Sequence, residues 1–173
     1  MRIRWKIDNL INSCLSYDAK NNYMIEWKLI PFAQLSNIEL YQLIKLRVDV
    51  FVVEQTCPYP ELDGKDTLPD VYHLLGYQNG ELVACSRLLP KGVSYPSVSI
   101  GRVATLQQAR GNGLGHHLLA AAKEKCQEIW PNESIEIGAQ EHLAQFYSQH
   151  GFIQTSESYF EDGIPHIDMK LTK

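Results

Sequence analysis

The sequence predicts an α/β or α+β fold in which helices cover both faces of one sheet. Apolar residues repeat with the two-residue period of a strand in some segments and with the period of a helix in others. Asn79-Gly80 separates two strand-like segments, which is a strong signal for a hairpin. A glycine-rich stretch at residues 108–115 lies between a β-branched segment and a helical one. The two strands beside that helix are therefore expected to be parallel and joined by a right-handed crossover.

Local signals give the order of the elements. Ser36 and Glu39 have the spacing of a capping box at the start of the first helix, whose apolar residues recur every three or four positions up to Val48. Segment 54–70 contains three prolines and a cluster of acidic side chains, which is typical of a loop. The predicted elements are a strand at 24–30, a helix after Ser36, strands at 71–77, 81–89 and 98–105, a helix at 112–130, a strand at 134–139, a helix at 141–150, and strands at 152–156 and 164–171.

Length and composition indicate one globular domain. The chain has 173 residues, with 45% hydrophobic and 21% charged residues, which are ordinary values for a globular protein. Residues 1–23 are polar and irregular, and we interpret them as an N-terminal extension, either poorly ordered or preceding the true initiator at Met24. Residues 24–173 then form the single domain.

Charge and cysteine usage narrow the class of partner. The net charge is −4 and no run of Lys or Arg is present, which argues against a nucleic-acid partner. No apolar run approaches the length that spans a membrane. The four cysteines are widely spaced, which fits a reduced, cytoplasmic setting better than a disulfide framework. No Cys/His set has the spacing of a zinc site, so no metal is expected. The oligomeric state stays open, with a homodimer as one option.

The glycine-rich stretch is expected to bind an anion, most often a phosphate. Its glycines let the backbone approach a ligand and permit positive φ. The first N–H groups of the following helix lack partners within the helix, so they suit a phosphate. The phosphate loop of nucleotide triphosphatases and the dinucleotide fingerprint do not fit, because His116 follows the last glycine. What remains is Gln-x-x-Gly-x-Gly, formed by Gln108, Gly111 and Gly113; an ordinary helix cap is the alternative.

With these motifs in place, the chain resembles the GCN5-related N-acetyltransferase (GNAT) family over residues 24–173. The element order matches, the Gln108 motif follows the fourth predicted strand, and the segment 146–152 (FYSQHGF) follows the fifth. The resemblance is closest to the ElaA-like branch. The segments that carry it are 47–55 (RVDVFVVEQ), 57–59 (CPY), 63–64 (DG) and 161–167 (EDGIPHI).

The resemblance implies a mixed sheet of about seven strands whose parallel fourth and fifth strands splay apart around acetyl-CoA. Backbone groups of the fourth strand would bind the pantetheine arm, and the glycine loop would hold the pyrophosphate. The residues so implied in binding acetyl-CoA are Val103, Thr105, Gln108, Arg110, Gly111, Asn112, Gly113, Leu114 and Gly115.

The resemblance also implies a proton donor for the departing thiolate. Tyr147 lies four residues before Gly151, where the family keeps its general acid. The pattern by itself favours a core tyrosine, because Leu143, Phe146 and Tyr147 form a helical stripe. An unperturbed tyrosine has a pKa of about 10, against about 8.5 for a thiol. The tyrosine is therefore a weaker acid than the thiol that it protonates, and its hydroxyl must be positioned close to the thiolate to act as the donor.

The general base is less defined. Glu54, His73, Glu161 and His166 are the polar candidates, and a water chain ending at one of them is equally compatible with the sequence. We assign Glu54 to catalysis and place His73, Arg102, Glu161 and His166 on the substrate side. Two structural alternatives stay open: His73 as a satisfied buried histidine, and Glu54 in a salt bridge with Arg47 or Arg102. Arg102 lies in an otherwise apolar strand and needs a partner if it is buried.

The function implied is direct transfer of an acetyl group from acetyl-CoA to a primary amine. The alternative is an acyl-CoA-binding sensor or interaction module without turnover. The acceptor is a small-molecule or peptide amine. Acidic residues in segments 54–70 and 157–168 favour a cationic acceptor if those segments line its site; a solvated acidic face is the other interpretation.

Overall fold

The computed structural model describes the backbone of residues 14–17 and the whole of residues 24–173. The strands are β1 (Cys14–Tyr17), β2 (Met24–Pro31), β3 (Tyr72–Gln78), β4 (Glu81–Leu89), β5 (Val98–Thr105), β6 (Ile135–Gln140), β7 (Ile153–Gln154), β8 (Tyr159–Glu161) and β9 (Ile164–Leu171). The helices are α1 (Asn37–Arg47), α2 (Leu114–Ile129) and α3 (Ala144–Ser148). The strands form one sheet in the order β1-β2-β3-β4-β5-β6-β9-β7, and β8 pairs with β9.

The predicted fold class is confirmed. The hairpin at Asn79-Gly80 joins β3 to β4, and β5 and β6 are parallel neighbours on either side of α2. Helices pack on both faces of the sheet. Leu74 belongs to the core cluster under α2, whereas the adjacent Leu75 belongs to the cluster under α1. This alternation is what a strand buried on both faces requires.

Three details of the predicted elements are wrong. The predicted helix at 141–150 is a 3₁₀ turn at Glu141–Leu143 followed by the short α3. The predicted strand at 152–156 is only β7, because Phe152 turns into the core. Two strands beyond the predicted seven are present in the described residues: β8, and β1 within the segment interpreted as an extension. The domain boundary at residue 24 stays a prediction.

The first helix begins as the sequence indicates and ends in an unusual way. Ser36 accepts a hydrogen bond from the Glu39 N–H, and Glu39 accepts one from the Ser36 N–H, which completes the capping box. After α1 the backbone widens into a π-helical turn, Val48–Glu54. Wide turns of this kind are frequent at functional sites. Here the turn places Val50 and Glu54 against the cleft described below.

A network of buried charges fixes the loop that follows this turn. Its arginines come from α1, β4 and β5, and its carboxylates come from the loop. Arg47 contacts Glu61 and Asp66, Arg87 contacts Asp63 and Asp66, and Arg102 contacts Glu61 and Asp63. Burial favours protonated carboxyl groups, but the hydrogen bonds and charges of the arginines outweigh it and lower the pKa of Asp63 and of Asp66. Asp63 and Asp66 therefore stay ionised, and their ion pairs hold the loop against the arginines of α1, β4 and β5.

The separation of β5 from β6 forms the site. The two strands pair only at Val98–Ile135 and Ser99–Glu136, although β5 continues to Thr105 and β6 to Gln140. Beyond Ser99 the strands diverge, while β4 still pairs with β5 and β9 still pairs with β6. The splayed pair that the family resemblance implies is therefore confirmed.

Arg47→Ala is expected to lower the free energy of unfolding by about 3–5 kcal/mol, because it removes the partner of two buried carboxylates. The measurement is denaturant-induced unfolding followed by circular dichroism. Lys45→Ala is the control: it removes an exposed ion pair with Asp49 on the same stretch of chain, and no measurable change is expected. Equal losses in the two variants would show that the buried network contributes nothing to stability.

Candidate active site

A cleft of about 930 Å³ opens where β5 and β6 separate. Its walls are residues 99–105 of β5, the π-helical turn, the end of β6, and the segment that contains β8 and the start of β9. Many residues singled out in the sequence line this cleft. They are Glu54, Arg102, Val103, Thr105, Arg110, Tyr147, Glu161 and His166.

The glycine loop (residues 108–115) lies beside this cleft, at the start of α2, and of its residues only Arg110 lines the cleft. Gln108 belongs to a 3₁₀ turn, and Gly113 is the N-cap of α2. Gly111 and Gly113 have φ of +101° and +74°, and a Cβ at either would meet nothing within 4 Å. Leu114 turns its side chain into the core, so only its backbone faces outward. The loop thus exposes a run of backbone N–H groups at a helix start, which is suited to an anion.

Arg110 joins the loop to the π-helical turn. Its Nη1 and Nη2 donate to the two carboxylate oxygens of Glu54 at 2.6 and 2.8 Å, and its Nη2 also donates to the Thr105 carbonyl at 2.9 Å. The hydrogen bonds from Arg110 lower the pKa of Glu54. The structural alternative in the sequence, a pair with Arg47 or Arg102, is wrong; Glu54 pairs with Arg110.

The edge of β5 that faces β6 carries free backbone groups. The Leu106 N–H bonds to Val83 on the β4 side. Because successive residues of a strand point their backbone groups to opposite sides, Val103 and Thr105 face the gap. Two residues of β5, Arg102 and Val103, oppose the single residue Ser86 of β4, which makes a β-bulge.

Arg102 is held in a conformation that favours glycine. Its φ is +52°, and such a backbone costs on the order of 1–3 kcal/mol in a non-glycine residue. Its Nε donates to Glu61 at 2.7 Å, and its Nη2 reaches Asp63 at 3.3 Å. The sequence analysis expected a partner for Arg102 if it is buried, and the loop carboxylates Glu61 and Asp63 are those partners. The same contacts hold the bulge in place.

Tyr147 belongs to the core and to the cleft at the same time. It is 7% exposed and packs edge-on against Phe146 and Phe152, with ring centroids 5.0 and 6.0 Å apart. No residue in the described part of the chain hydrogen-bonds to its hydroxyl group. Burial raises the pKa of Tyr147 to about 12, so the phenol keeps its proton at neutral pH.

His73 lies away from the cleft. It is 1% exposed, on β3, and it is not among the residues that line the gap. Burial lowers its pKa, so the neutral imidazole is favoured. This position favours a structural role over a place on the substrate side. The expectation of a satisfied histidine is not met, because neither ring nitrogen has a hydrogen-bond partner in the described part of the chain.

His166 lines the cleft, and the two nitrogens of its ring have different surroundings. Its Nδ1 lies 2.9 Å from the Ile164 carbonyl, which can only accept a hydrogen bond. The neutral ring therefore carries its proton on Nδ1 and leaves Nε2 without one. Nε2 is 4.0 Å from Glu161, and the ring stacks against Tyr159.

Cys57, Cys85 and Cys126, the cysteines whose side chains the structure describes, are poorly suited to act as nucleophiles. Cys85 and Cys126 are buried, and burial raises the pKa of each thiol to about 12. Cys57 lines the cleft, but its thiol donates to the carbonyl of Asp162. A thiolate is disfavoured at Cys85 and Cys126, and the Cys57 thiol is engaged as a hydrogen-bond donor, which fits direct transfer better than a covalent intermediate.

Sequence reasoning missed two tyrosines of the cleft, Tyr95 and Tyr159, although the acidic segment 157–168 that it singled out includes their partner Asp168. Tyr95 and Tyr159 both donate to Asp168, and Gly138 lies beneath them. Asp168 gave a signal, because it alternates with the core residues Ile167 and Met169 and so belongs to the opposite face of β9. The tyrosines lie in irregular or very short segments, where no periodicity marks them.

The family is established by comparison with known proteins. The model of the acetyltransferase (GNAT) domain matches residues 49–173. The chain belongs to the GNAT family, whose fold is that of acyl-CoA-dependent acyltransferases.

In the described part of the chain, no helix is long and apolar enough to cross a membrane.

Individual relatives place the chain among the ElaA-like members. It is 46% identical over 146 residues to protein ElaA of Escherichia coli, covering 84% of this chain and 95% of that protein. The crystal structure of Escherichia coli ElaA matches with a TM-score of 0.80 and 45% identity, over 85% of this chain and 99% of that one. An acyl-CoA N-acyltransferase from Pseudomonas aeruginosa matches with a TM-score of 0.81 and 42% identity, over 84% and 98% of the two chains.

Proposed function

We propose that the chain transfers an acetyl group from acetyl-CoA directly to a primary amine. The observation that carries this proposal is the arrangement around the gap. Free backbone groups of β5, the glycine loop and the buried Tyr147 lie at one opening of the sheet. An open sheet binds its ligand in such a crevice, near the carboxyl ends of parallel strands.

In this proposal each part of the cofactor meets a different part of the chain. The pyrophosphate lies on the N–H groups from Gly111 to Gly115, because the Arg110 N–H already donates to the Gln107 carbonyl, and Gln108 and Asn112 flank it. Arg110 supplies the positive charge once it leaves Glu54. The pantetheine amides pair with the backbone groups of Val103 and Thr105 that face the gap. The thioester then lies deeper in the cleft, toward Tyr147.

The chemistry needs one acid and one base. The amine nitrogen attacks the thioester carbon, and a backbone N–H of β5 stabilises the oxyanion. The C–S bond breaks, and Tyr147 gives its proton to the departing thiolate. The raised pKa of Tyr147 makes this proton transfer unfavourable at equilibrium. Catalysis therefore depends on positioning the Tyr147 hydroxyl against the sulfur, and that hydroxyl is available because it binds no described residue.

His166 suits the role of base better than Glu54. The incoming amine is an ammonium at neutral pH and must lose one proton before it attacks. Glu54 accepts two hydrogen bonds from Arg110 and has a lowered pKa, which makes it a weak acceptor. His166 has an unprotonated Nε2 in its neutral form and lines the cleft. Glu54 then holds Arg110 in place until the cofactor binds.

Gly113→Asp is expected to weaken acetyl-CoA binding by roughly a hundredfold or more, because it puts a negative charge at an anion cradle. Asp tolerates positive φ better than most residues, and the space around Gly113 is open, so the fold is expected to persist. The measurement is calorimetric titration with acetyl-CoA. Gly113→Asn has the same shape without the charge and should bind far more tightly; equal binding by both variants would contradict the cradle.

Tyr147→Phe is expected to lower turnover by roughly 10²–10⁴-fold, the usual contribution of a general acid. Acetyl-CoA affinity and thermal stability should be unchanged, because the hydroxyl bonds to no described residue. The measurement is thiol release with a panel of primary amines. Full activity in the variant would return Tyr147 to a purely structural role. Acetyl-CoA binding without turnover on any amine, in the unaltered protein, would favour the sensor alternative.

Two conservative variants separate the candidate bases. His166→Gln is expected to lower kcat by roughly a hundredfold, and activity should recover as the pH rises and the amine loses its proton to solvent. Glu54→Gln should leave kcat within a few-fold and tighten acetyl-CoA binding, because Arg110 is released. A larger loss of kcat in Glu54→Gln than in His166→Gln would restore Glu54 as the base.

A further inference from the structure

A polar subsite lies beside the gap, on the face of the sheet opposite α2. Ile137, Ile167 and Met169 turn into the core under α2. Strand alternation therefore places Gly138 and Asp168, which are direct register partners on β6 and β9, on the other face. Both line the cleft.

Asp168 is oriented by two tyrosines that share one of its oxygens. Tyr95 Oη donates to Oδ1 at 2.7 Å, and Tyr159 Oη donates to the same oxygen at 2.9 Å. Burial raises the pKa of both phenols, that of Tyr159 to about 12, so both act as donors at neutral pH. Among residues 24–173, none donates to Oδ2. The carboxylate thus keeps one oxygen for a ligand.

Glycine at position 138 makes this arrangement possible. A Cβ there would lie 2.8 Å from Tyr95 Oη and 3.3 Å from Tyr159 Oη. The first distance is shorter than a carbon atom tolerates, so a side chain at this position would displace the tyrosine from Asp168. The absence of a side chain on β6 lets both hydroxyl groups lie directly above the strand.

Ser99 independently indicates that the same cleft binds a polar ligand. Its side chain is on the same face of β5, at the last residue where β5 and β6 pair. Ser99 is 2% exposed, its Oγ has no hydrogen-bond partner in the described part of the chain, and it lines the cleft. Buried hydroxyl groups are nearly always hydrogen-bonded, so a ligand group is expected to complete it.

The charges around the cleft favour a cation. Each of its arginines pairs with a different carboxylate of the segment 54–66: Arg87 with Asp63, Arg102 with Glu61, and Arg110 with Glu54. Among the described residues, no lysine or arginine pairs with the acidic residues of the opposite wall. Those acidic residues are Glu161, Asp162 and Asp168. Lys65 is the lining cation that remains, and it donates to Ser94. The unpaired charge is therefore mostly negative, and it attracts positive ligands.

We propose that Asp168, oriented by Tyr95 and Tyr159, binds a positively charged group of the acceptor, so that the preferred acceptor is an amine with a second cationic group, such as a diamine. This inference rests on the proposed function, because the attacking amine must reach a thioester in the gap. Only β6 separates the gap from β9, and neighbouring strands lie about 4.8 Å apart. A chain of a few methylene groups joins the two positions.

Equilibrium binding to the CoA-loaded protein tests the subsite without requiring turnover. The probes are α,ω-diaminoalkanes of increasing length, each with the monoamine in which methyl replaces one amino group. At least one diamine is expected to bind roughly tenfold more tightly than its monoamine. Equal affinities throughout the series, or no binding of any diamine, would overturn the proposal. This comparison uses the unaltered protein, so it does not depend on whether a variant folds.

A matched pair of variants tests whether Asp168 causes the preference for a diamine over its monoamine. Asp168→Asn keeps the shape and removes the charge, and it should abolish the difference between diamine and monoamine. Glu157→Gln removes a charge from an exposed residue of the same segment and should retain the difference. Retention of the preference in Asp168→Asn would overturn the assignment.

Measuring acetyl-CoA binding distinguishes a failure of the proposed function from a failure of the subsite proposal alone. A protein that does not bind acetyl-CoA contradicts the proposed function itself. A protein that binds it and acetylates neutral and cationic amines equally well retains the proposed function and contradicts only the subsite.

Discussion

A sheet that opens in its middle exposes backbone N–H and C=O groups that need other partners. In this chain β5 keeps β4 on one side and loses β6 on the other after Ser99. The other parts of the site are arranged around that opening. The glycine loop ends β5, Tyr147 follows the end of β6, and the loop after α1 closes the side of the cleft.

The opening is maintained by charge as well as by backbone geometry. The bulge at Arg102 has an unfavourable φ, and the same side chain is fastened to Glu61 and Asp63. These carboxylates also pair with Arg47 and Arg87, which come from α1 and β4. A buried network of this kind contributes little net stability compared with apolar packing. Its effect here is positional, because it connects the bulge, the loop and both neighbouring elements.

This network also changes the meaning of the acidic loop. The carboxylates of segment 54–66 are occupied by arginines, so they leave little negative charge for a ligand. The segment from Tyr159 to Asp168 keeps its acidic side chains unpaired with lysine or arginine in the described structure. The two acidic segments look alike in the sequence, but only the second offers free charge to the cleft.

The sequence by itself determined the elements whose signals are local. The capping box at Ser36, the turn at Asn79-Gly80 and the glycine loop before α2 depend on residues a few positions apart, and their patterns are visible in one segment at a time. The parallel crossover follows from strand and helix order with the handedness of the chain. Tyr147 was reached through family resemblance, because its helical stripe alone indicates a core residue.

Only the tertiary structure decided which side chains meet. Glu54 binds Arg110, 56 positions away, and Tyr95 binds Asp168, 73 positions away. His73 and His166 both alternate with apolar neighbours, yet one is buried on β3 and the other faces the cleft. The physical reason is that charge pairing and burial depend on strand order and register across the sheet. A periodic pattern fixes which face a residue belongs to, but not what lies opposite it.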